Sequence, residues 1–330
     1  MSRKGVGGGG RAGAMRRVFV YEYLSGGGRL DDDPQAAAEL MPMGVAMRDA
    51  MVLDMLCAPD CAVTVATCAE AGTNPPGAAC TSARPGETPA DFVGRQARQH
   101  DAVWLVAPET GGLLGRLAAV VEPARWLGCT PAAIAVASSK RATVEQLHAR
   151  GVATPLGWRD DPAVRRWVVK PDDGTGAIDS RVHLERSAAE RDLAARPAGS
   201  GWLEPWVEGE ALSVSMLCHD GSADLLSVNR QHIAVDAEGA LHFRGVDVNV
   251  VPADDARRPA LAALALQVAQ ALPGLRGFVG IDVVWHVPRG PVLIEVNPRV
   301  TSAYVGLSAS LGRNIAAELL DGCAGEAGHG

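Results

Sequence analysis

Two carboxylates and one amide lie close together in GIDVVWHVPRGPVLIEVNPR, residues 280–299. Side chains of a β-strand alternate between its two faces, so Glu295 and Asn297 point the same way. Asp282, on the preceding predicted strand, joins them if the connecting loop has an even number of residues or carries a bulge. Oxygen ligands of this kind suit Mg²⁺ beside a phosphate. The alternative is a solvated strand face with scattered acids, which the apolar neighbours disfavour.

Two lysines supply the opposite charge. Lys170 ends the apolar segment WVVKP, and a phosphate partner would explain a cation at the end of such a strand. Lys140 lies at the start of a predicted helix whose N-cap is Ser138 or Ser139. An unpaired cation there opposes the helix dipole unless an anion lies nearby. Taken alone, each lysine is equally compatible with an ordinary surface position.

Two short segments between these charges have the character of a nucleotide-binding loop and hinge. In DDGTGAID, Gly174 and Gly176 permit a mobile turn whose N–H groups can close on phosphate oxygens, although an ordinary hairpin turn has the same pattern. In LEPWVEGE, Pro205 keeps a C=O and Val207 an N–H, which together suffice for one adenine edge. Glu210 is then placed to accept hydrogen bonds from ribose hydroxyls.

The composition excludes several other classes of function. The 330 residues are 47% apolar and 21% charged, with a net charge of −7 and no block of Lys or Arg. Neither nucleic acid nor an anionic membrane is therefore an expected partner. No apolar run approaches the length of a membrane span. Residues 1–14 lack the apolar core of a signal peptide and are expected to form a disordered tail.

Seven cysteines without an export signal predict a reduced, cytoplasmic setting. Four of them cluster loosely: Cys57, Cys61, Cys68 and Cys80. Their spacing matches no zinc template, so small core residues are the preferred interpretation over a metal site. A homo-oligomer is compatible with the sequence, which contains no signal that decides the oligomeric state.

The pattern of elements predicts a mixture of α/β and α+β architecture. Strands alternating with helices are typical of a parallel Rossmann-type sheet, here with strands at 17–24, 62–67 and 101–107 and a helix at 35–57. Residues 71–90 are interpreted as a loop. After residue 138, short strands follow at 166–171, 201–207, 211–217 and 223–228. An apolar helix at 260–272, a β-hairpin at 277–297 and a last helix around 307–321 complete the chain.

The order of these motifs resembles that of the ATP-grasp ligases. The match runs over residues 138–310 and rests on Lys140, KPDDGTG (170–176), EPWVEGE (204–210), Asp282 and EVNPR (295–299). The resemblance implies an ATP-grasp fold behind an N-terminal Rossmann-like (pre-ATP-grasp) domain. The implied divisions are a tail at 1–14, that domain at 15–137, a central subdomain at 138–208 and a C-terminal subdomain at 209–330.

The same resemblance implies roles for individual residues. ATP would be bound by Lys140, Lys170, Gly174, Gly176, Glu204, Pro205, Val207 and Glu210. Two Mg²⁺ ions, for which Mn²⁺ could substitute, would be held by Asp282, Glu295 and Asn297. Arg299 would lie against the transferring phosphate, so that Arg299 and Lys170 are the candidate catalytic residues.

A narrower resemblance concerns the reaction. EYLSGGG, APET, SVNRQ and NPRVTSAYVGL look like segments of the tyramine–glutamate ligases of methanofuran-type cofactor biosynthesis. This implies an ADP-forming enzyme that activates the γ-carboxyl of L-glutamate as an acyl phosphate and couples it to an aromatic amine, tyramine or tyrosine. Two alternatives stay open, a dipeptide or other amino-acid ligase and an ATP-binding regulator without catalysis. D-alanine–D-alanine ligases have an arginine two residues before the metal aspartate, where this chain has Gly280, which weakens the dipeptide alternative.

With ATP assigned to residues 140–299, the glycine turn after the first strand is predicted to hold substrate. The N–H groups of Ser25, Gly26, Gly27 and Gly28 would meet the glutamate carboxylate or the acyl phosphate. Glu22 would pair with a substrate ammonium. A tight strand-to-helix turn without any ligand is the alternative. Further candidate substrate contacts are Arg230, Thr301, Ser302 and Tyr304.

Overall fold

A computed structural model describes residues 15–29, 34–174, 177–219 and 221–326. The N-terminal part contains β1 (Arg16–Glu22), α1 (Pro34–Leu56), β2 (Cys61–Ala66), β3 (Ala79–Thr81), α2 (Pro89–Ala97), β4 (Ala102–Val106), α3 (Leu113–Ala119) and α4 (Pro131–Ala137). The middle contains α5 (Lys140–Ala149), β5 (Trp167–Pro171), β6 (Arg181–His183), α6 (Arg186–Ala195) and β7 (Gly201–Pro205). The remainder contains β8 (Glu210–His219), β9 (Ser222–Val235), β10 (Leu241–Asp247), α7 (Arg258–Ala271), β11 (Gly277–His286), β12 (Gly290–Asn297), α8 (Leu307–Leu311) and α9 (Ile315–Glu326).

The first sheet is parallel, with the strand order β3-β2-β1-β4. Along β1, Phe19 and Tyr21 enter one hydrophobic cluster while Val18 and Val20 enter the cluster on the opposite face. Burial on both faces is what a parallel sheet covered by helices requires. The predicted Rossmann-type arrangement is confirmed. One expectation is wrong, because the segment 71–90 is not loop throughout and contains β3.

Two antiparallel sheets follow the parallel one. The smaller has the order β6-β5-β7, and the larger has the order β10-β9-β8-β11-β12. The predicted hairpin near residue 290 is the pair β11–β12. Helix α7 packs one buried face against the larger sheet, through Leu261, Leu264 and Val268. The opposite face of that sheet is consequently free to form one wall of the site described below.

The C-terminal segment returns to the first sheet. The predicted single helix around 307–321 is two helices, because Gly312 adopts a left-handed conformation with φ of 62° and ends α8. The Asn314 side chain then accepts the N–H of Ala317 at 3.0 Å and starts α9. Asn314 also donates to the carbonyl of Asp54 in α1, which ties the end of the chain to the N-terminal part.

Across the four described ranges, no helix combines the length and the apolar character that a membrane span needs.

Candidate functional site

A cavity of about 480 Å³ lies where the three sheets meet. Its wall on the smaller sheet includes Val168, Lys170 and Glu204. Its wall on the larger sheet includes Ser213, Gln231, Asp282, Glu295 and Asn297, and the N-terminal part closes it with Glu22, Leu24, Leu40, Met43 and Met47. Most of the charged residues singled out in the sequence therefore face a single space.

The two carboxylates and the amide meet where β11 pairs with β12. Asp282 lies directly opposite Glu295, and Gly280 lies opposite Asn297. This register exists because β12 carries a bulge at Ile294, after which the alternation of side chains is restored. The bulge is one of the two conditions under which the sequence places the three side chains on one face, and all three line the cavity.

The electrostatics of this group suit a cation. Burial and the nearby Glu295 carboxylate raise the pKa of Asp282 to about 7, against the hydrogen bonds it receives from Asn297 and Gln231. The Gln231 amide lies 2.9 Å from Asp282 Oδ1. Two facing carboxylates that disfavour each other's charge, with an amide oxygen beside them, form a donor set of the kind that holds Mg²⁺ or Mn²⁺.

Lys140 reaches the same group from the start of α5. Ser139 is the N-cap of this helix, since its hydroxyl accepts the N–H of Ala142 at 3.1 Å. The Lys140 ammonium donates to the carbonyl of Gly174 at 2.7 Å and lies 3.1 Å from Glu295 Oε1. The sequence predicts an anion near Lys140, and in the structure that anion is the carboxylate of Glu295, a member of the candidate metal group.

Lys170 is buried at the end of β5 and pairs with Glu204 on the adjacent strand β7. Its ammonium lies 2.6 Å from Glu204 Oε1, and the Trp202 indole donates to Glu204 Oε2 at 2.8 Å. Lys170, which is predicted to bind an ATP phosphate, is thus already paired with Glu204, a carboxylate that is predicted to bind adenosine. Both residues line the cavity, and their roles toward ATP stay predictions.

Arg299 lies at the cavity wall and is paired with a residue that the sequence analysis did not select. Its Nε lies 2.8 Å from Glu109 Oε1, and its Nη2 donates to Glu109 Oε2 at 2.9 Å. Both side chains are almost fully buried. Glu109 stands in the APET segment, and nothing local in the sequence indicates its partner.

The segment between β7 and β8 forms another part of the wall. Pro205 and Val207 line the cavity, as does Gly209. Glu210 does not line the cavity. Side chains alternate along β8, and because Ala211 faces the cavity, Glu210 points to the opposite face of the sheet. Its carboxylate is paired with two arginines, Arg230 at 2.8 Å and Arg257 at 2.6 Å. The predicted contact of Glu210 with ribose is therefore not supported.

Alternation also corrects the prediction for Arg230. This side chain lies on the far face of β9 with Glu210, whereas the next residue, Gln231, lines the cavity and contacts Asp282. Period-two alternation along SVNRQ would have identified Gln231. Gly174 places its carbonyl on Lys140, while Gly176 lies outside the described residues.

The glycine turn after β1 does not reach the cavity. The N–H groups of Gly26, Gly27 and Gly28 donate to carbonyls within the same turn, at 2.8, 3.0 and 2.7 Å. The N–H of Ser25 donates to Glu22 Oε2 at 2.8 Å. These donors are already used, so the prediction that they bind a substrate carboxylate is corrected, and the ligand-free turn describes this segment better.

Glu22 does reach the cavity. Its carboxylate accepts the N–H groups of Leu24 at 3.2 Å and of Ser25 at 2.8 Å, and it lines the wall nearest α1. Burial raises the pKa of Glu22, although Arg48 and the two N–H donors oppose that shift. An ammonium group brought beside this carboxylate would compensate its burial.

Thr301 and Ser302 line the same cavity as the candidate metal group. A Cβ atom built at Gly280 would lie 2.8 Å from the Thr301 methyl carbon, so the Thr301 side chain would have to shift to admit a side chain at that position.

Tyr304 is a core residue, which corrects its assignment to the substrate site. Its side chain is fully buried between Trp104 and Phe278, with ring centroids 5.3 and 5.2 Å away, and its hydroxyl donates to Asp54. Burial and the Asp54 carboxylate raise the pKa of this hydroxyl. Tyr304 therefore joins the C-terminal segment to α1.

We expect Tyr304→Phe to lower the free energy of unfolding by about 1.5–3 kcal/mol, the range for a hydrogen bond to a charged group. Urea unfolding measures this value. Ser308→Ala removes the other hydroxyl that donates to Asp54 and should lower the unfolding free energy as well, without affecting the KM of any substrate. If Tyr304→Phe instead left the unfolding free energy unchanged and raised the KM of a substrate, the assignment to the core would be wrong.

The four clustered cysteines do not form a metal centre within the described ranges, where no three His, Cys, Asp or Glu side chains are grouped to hold an ion. Cys57 and Cys80 are exposed, while Cys61 and Cys68 are half-buried. The interpretation as core residues is therefore wrong for the two exposed ones.

Models of protein families match two successive parts of the chain. Residues 61–134 match a pre ATP-grasp domain, and residues 137–303, half of the chain, match an ATP-grasp domain. Solved structures of similar fold include an ATP-grasp superfamily protein from Archaeoglobus fulgidus (TM-score 0.67, 23% identity, 93% of this chain and 88% of that one). An L-amino acid ligase from Bacillus licheniformis has a TM-score of 0.60 at 17% identity, over 93% of this chain and 74% of that one. At these identities the likeness concerns the fold alone.

Two curated relatives are both named tyramine–L-glutamate ligase. The protein from Methanocaldococcus fervens is 31% identical over 209 residues, which is 63% of this chain and 61% of the relative. The protein from Methanocaldococcus jannaschii is 30% identical over 212 residues, 64% of this chain and 59% of the relative. The chain thus matches about three fifths of the length of each relative. The two antiparallel sheets enclose a charged cavity, a parallel sheet precedes them in the chain, and the ATP-grasp family model matches half of the sequence. The chain therefore belongs to the ATP-grasp family.

Proposed function

We propose that the protein is an ATP-dependent, ADP-forming ligase that joins a carboxylate to an amine. The observation that carries this proposal is the grouping of Asp282, Glu295 and Asn297 with Lys140 and Arg299 on one cavity wall. Phosphoryl transfer to a carboxylate needs positioning and charge neutralisation more than it needs a protein nucleophile. Opposite charges held around one space meet that need.

ATP would lie between the predicted central subdomain 138–208 and the C-terminal subdomain 209–330. The adenine would meet the backbone near Pro205 and Val207, and the phosphates would extend toward Lys140 and Lys170. A divalent metal bound by Asp282, Glu295 and Asn297 would neutralise phosphate charge. Burial of both lysines strengthens their interaction with phosphate, because little water competes.

The carboxylate substrate would attack the γ-phosphate to give an acyl phosphate and ADP. Arg299 would bind the oxygens of the phosphoryl group during this transfer, since it lines the cavity together with Asp282 and Glu295. The amine then attacks the acyl carbon, and phosphate leaves. The enclosing walls limit hydrolysis of the acyl phosphate before the amine arrives.

For the substrates we propose L-glutamate, activated at its γ-carboxyl, and an aromatic amine such as tyramine or tyrosine, in methanofuran-type cofactor biosynthesis. The names of the two curated relatives support this choice. Within the cavity, Glu22 would receive a substrate ammonium, and Thr301 and Ser302 are the candidates for contact with the other substrate. Leu40, Met43 and Met47 supply apolar surface beside Glu22.

ADP release tests the proposal, measured with ATP, Mg²⁺, glutamate and a panel of amines that includes tyramine, tyrosine and D-alanine. We expect ADP formation that requires both glutamate and an aromatic amine. ADP with D-alanine as the only substrate would support a dipeptide ligase instead. ATP binding without ADP formation for any amine would support a regulator.

Gly44→Ala tests the placement of a substrate at Glu22. A Cβ atom at position 44 would lie 2.6 Å from Glu22 Oε2, so the carboxylate must shift. We expect the KM of the substrate held there to rise about tenfold, equivalent to about 1.4 kcal/mol. The KM of ATP should not change, because the lysines and the hinge are elsewhere on the wall.

Gly115→Ala, in a helix of the same N-terminal part, is the matched control, because the new Cβ would lie 3.7 Å from Ile134, at ordinary contact distance. A Gly44→Ala enzyme whose KM for ATP rises while both substrate KM values stay constant would exclude Glu22 as a substrate contact.

A further inference from the structure

The arginine at the reaction centre is held by a residue from a different part of the chain. Glu109 and Arg299 are 190 positions apart, yet their side chains form a two-point contact at 2.8 and 2.9 Å. Glu109 is 4% exposed and does not line the cavity, whereas Arg299 does. Glu109 thus contacts Arg299 from outside the cavity wall.

The geometry of the contact leaves donors for a ligand. Glu109 Oε1 approaches Nε at 2.8 Å without forming a hydrogen bond, Glu109 Oε2 accepts one N–H of Nη2, and the second terminal nitrogen, Nη1, donates to the carbonyl of Val300 at 3.2 Å. A guanidinium has five N–H groups, so one on each terminal nitrogen is not engaged by these partners. Its orientation is nevertheless fixed on two sides. An arginine held this way presents its remaining donors without having to be ordered at each turnover.

The segment that carries Glu109 is itself tied to the site. It continues into a short 3₁₀ turn at 110–112, where the N–H of Gly112 donates to the Glu109 carbonyl at 2.9 Å. The N–H of Gly111 donates to the Asp173 carboxylate at 2.8 Å. Asp173 immediately precedes Gly174, whose carbonyl accepts from Lys140. The Glu109 segment therefore contacts both the arginine and the loop that follows β5.

The cost of burial favours a role in positioning over a chance contact. A carboxylate this deeply buried is stable only with a charged partner and good geometry, and an ion pair of this kind contributes little net stability compared with apolar packing. Stability alone gives a weak reason for the pair. Orientation of a guanidinium toward a transferring phosphoryl group gives a stronger one.

We propose that Glu109 is a positioning residue of the ligase, which orients Arg299 toward the transferring phosphoryl group from the N-terminal domain. The expected effect of Glu109 on kcat rests on the proposed function. Glu109 does not touch the substrates and acts through Arg299. The arginine and the carboxylate that aims it come from different domains, so the N-terminal domain completes the phosphoryl-transfer site.

The kinetic test is Glu109→Gln, which keeps the size of the side chain and removes its charge. We expect kcat to fall about 10–100-fold, as for a misplaced catalytic group, while the KM of ATP changes less than about threefold. Glu109→Asp keeps the charge with a shorter reach and should give an intermediate kcat. Glu122→Gln, which removes an exposed carboxylate of the same domain that pairs with Arg125 at the surface, is the matched control and should leave kcat unchanged.

A binding test separates positioning from a general structural role and does not depend on the identity of the substrates. The probe is MgADP with orthovanadate, which resembles a transferring phosphoryl group, and the measured quantity is the ratio of its affinity to that of MgADP alone. We expect Glu109→Gln to reduce this ratio at least about tenfold, and to have no further effect when Arg299 is already alanine. A merely destabilised protein has a smaller active fraction but an unchanged ratio.

An unchanged ratio in Glu109→Gln, or an independent reduction in the Arg299→Ala background, would overturn the inference. These outcomes differ from failure of the proposed function. If the wild-type protein formed no ADP with glutamate and any amine, the proposed reaction would be wrong, and the affinity ratios would still decide whether Glu109 orients Arg299.

Discussion

Replacing Glu295 by alanine is expected to abolish ADP formation while leaving the fold intact. Glu295 faces Asp282 across the β11–β12 pair and lies 3.1 Å from the Lys140 ammonium. Its removal takes away a ligand of the proposed metal group and the anion that holds this lysine. Without a metal to neutralise phosphate charge, transfer of the phosphoryl group loses its main stabilisation.

The unliganded protein should tolerate this change. Glu295 raises the pKa of Asp282, which shows that the two carboxylates disfavour each other's charge, and alanine relieves that repulsion. Lys140 keeps its hydrogen bond to the Gly174 carbonyl. We therefore expect the melting temperature without ligands to change by only a few degrees, since the lost and relieved interactions partly offset each other.

Two measurements check this prediction. ADP release reports activity, and thermal unfolding with MgATP, with or without EDTA, reports metal-dependent stabilisation by the nucleotide. In Glu295→Ala the stabilisation that depends on Mg²⁺ should disappear. Asp254→Ala, which removes an exposed carboxylate of the same C-terminal region, is the control. Near-normal kcat in a folded Glu295→Ala enzyme would refute the metal assignment.

Arg299→Ala is expected to lower kcat on the order of 10³, by comparison with other arginines that face a transferring phosphoryl group. Unlike Glu295→Ala, this change should also destabilise the protein. It leaves the Glu109 carboxylate buried without its cation, and breaking a buried ion pair from one side typically costs about 3–5 kcal/mol. A low activity could therefore reflect unfolding alone.

The double variant Arg299→Ala/Glu109→Ala separates the two effects. Removing both charges leaves no unpaired buried carboxylate, so the free energy of unfolding should recover most of what Arg299→Ala lost. The kcat should stay low, because the contact with the phosphoryl group is still absent. Urea unfolding and ADP release on the same preparations measure both quantities. Recovery of kcat together with stability would show that Arg299 is structural.

Local pattern was sufficient for many of the elements and for several site residues. The alternation of side chains in strands placed Glu295 and Asn297 on one face, and the capping pattern placed Lys140 at the start of α5. Strand alternation and helix capping each depend on a few neighbouring residues, so both can be read from the sequence alone. The same rule, applied to β8 and β9, would have excluded Glu210 and Arg230 and selected Gln231.

Other outcomes depended on which backbone groups find partners nearby. Ser25 and the three glycines after β1 resemble an anion-binding turn, but their N–H groups are satisfied by Glu22 and by carbonyls of the turn itself. A glycine-rich sequence permits either use of its N–H groups. The choice between them is made by the fold of the turn, which composition does not specify.

By itself, then, the sequence determined the order of most of the larger elements, the family resemblance and the set of charged side chains available for phosphoryl transfer. Only the tertiary structure decided their partners. Lys170 meets Glu204, Arg299 meets Glu109, Tyr304 meets Asp54, and the bulge at Ile294 sets Asp282 opposite Glu295. The physical reason is that each pairing depends on how separate elements pack against one another, whereas periodicity and capping report only the immediate neighbours of a residue along the chain.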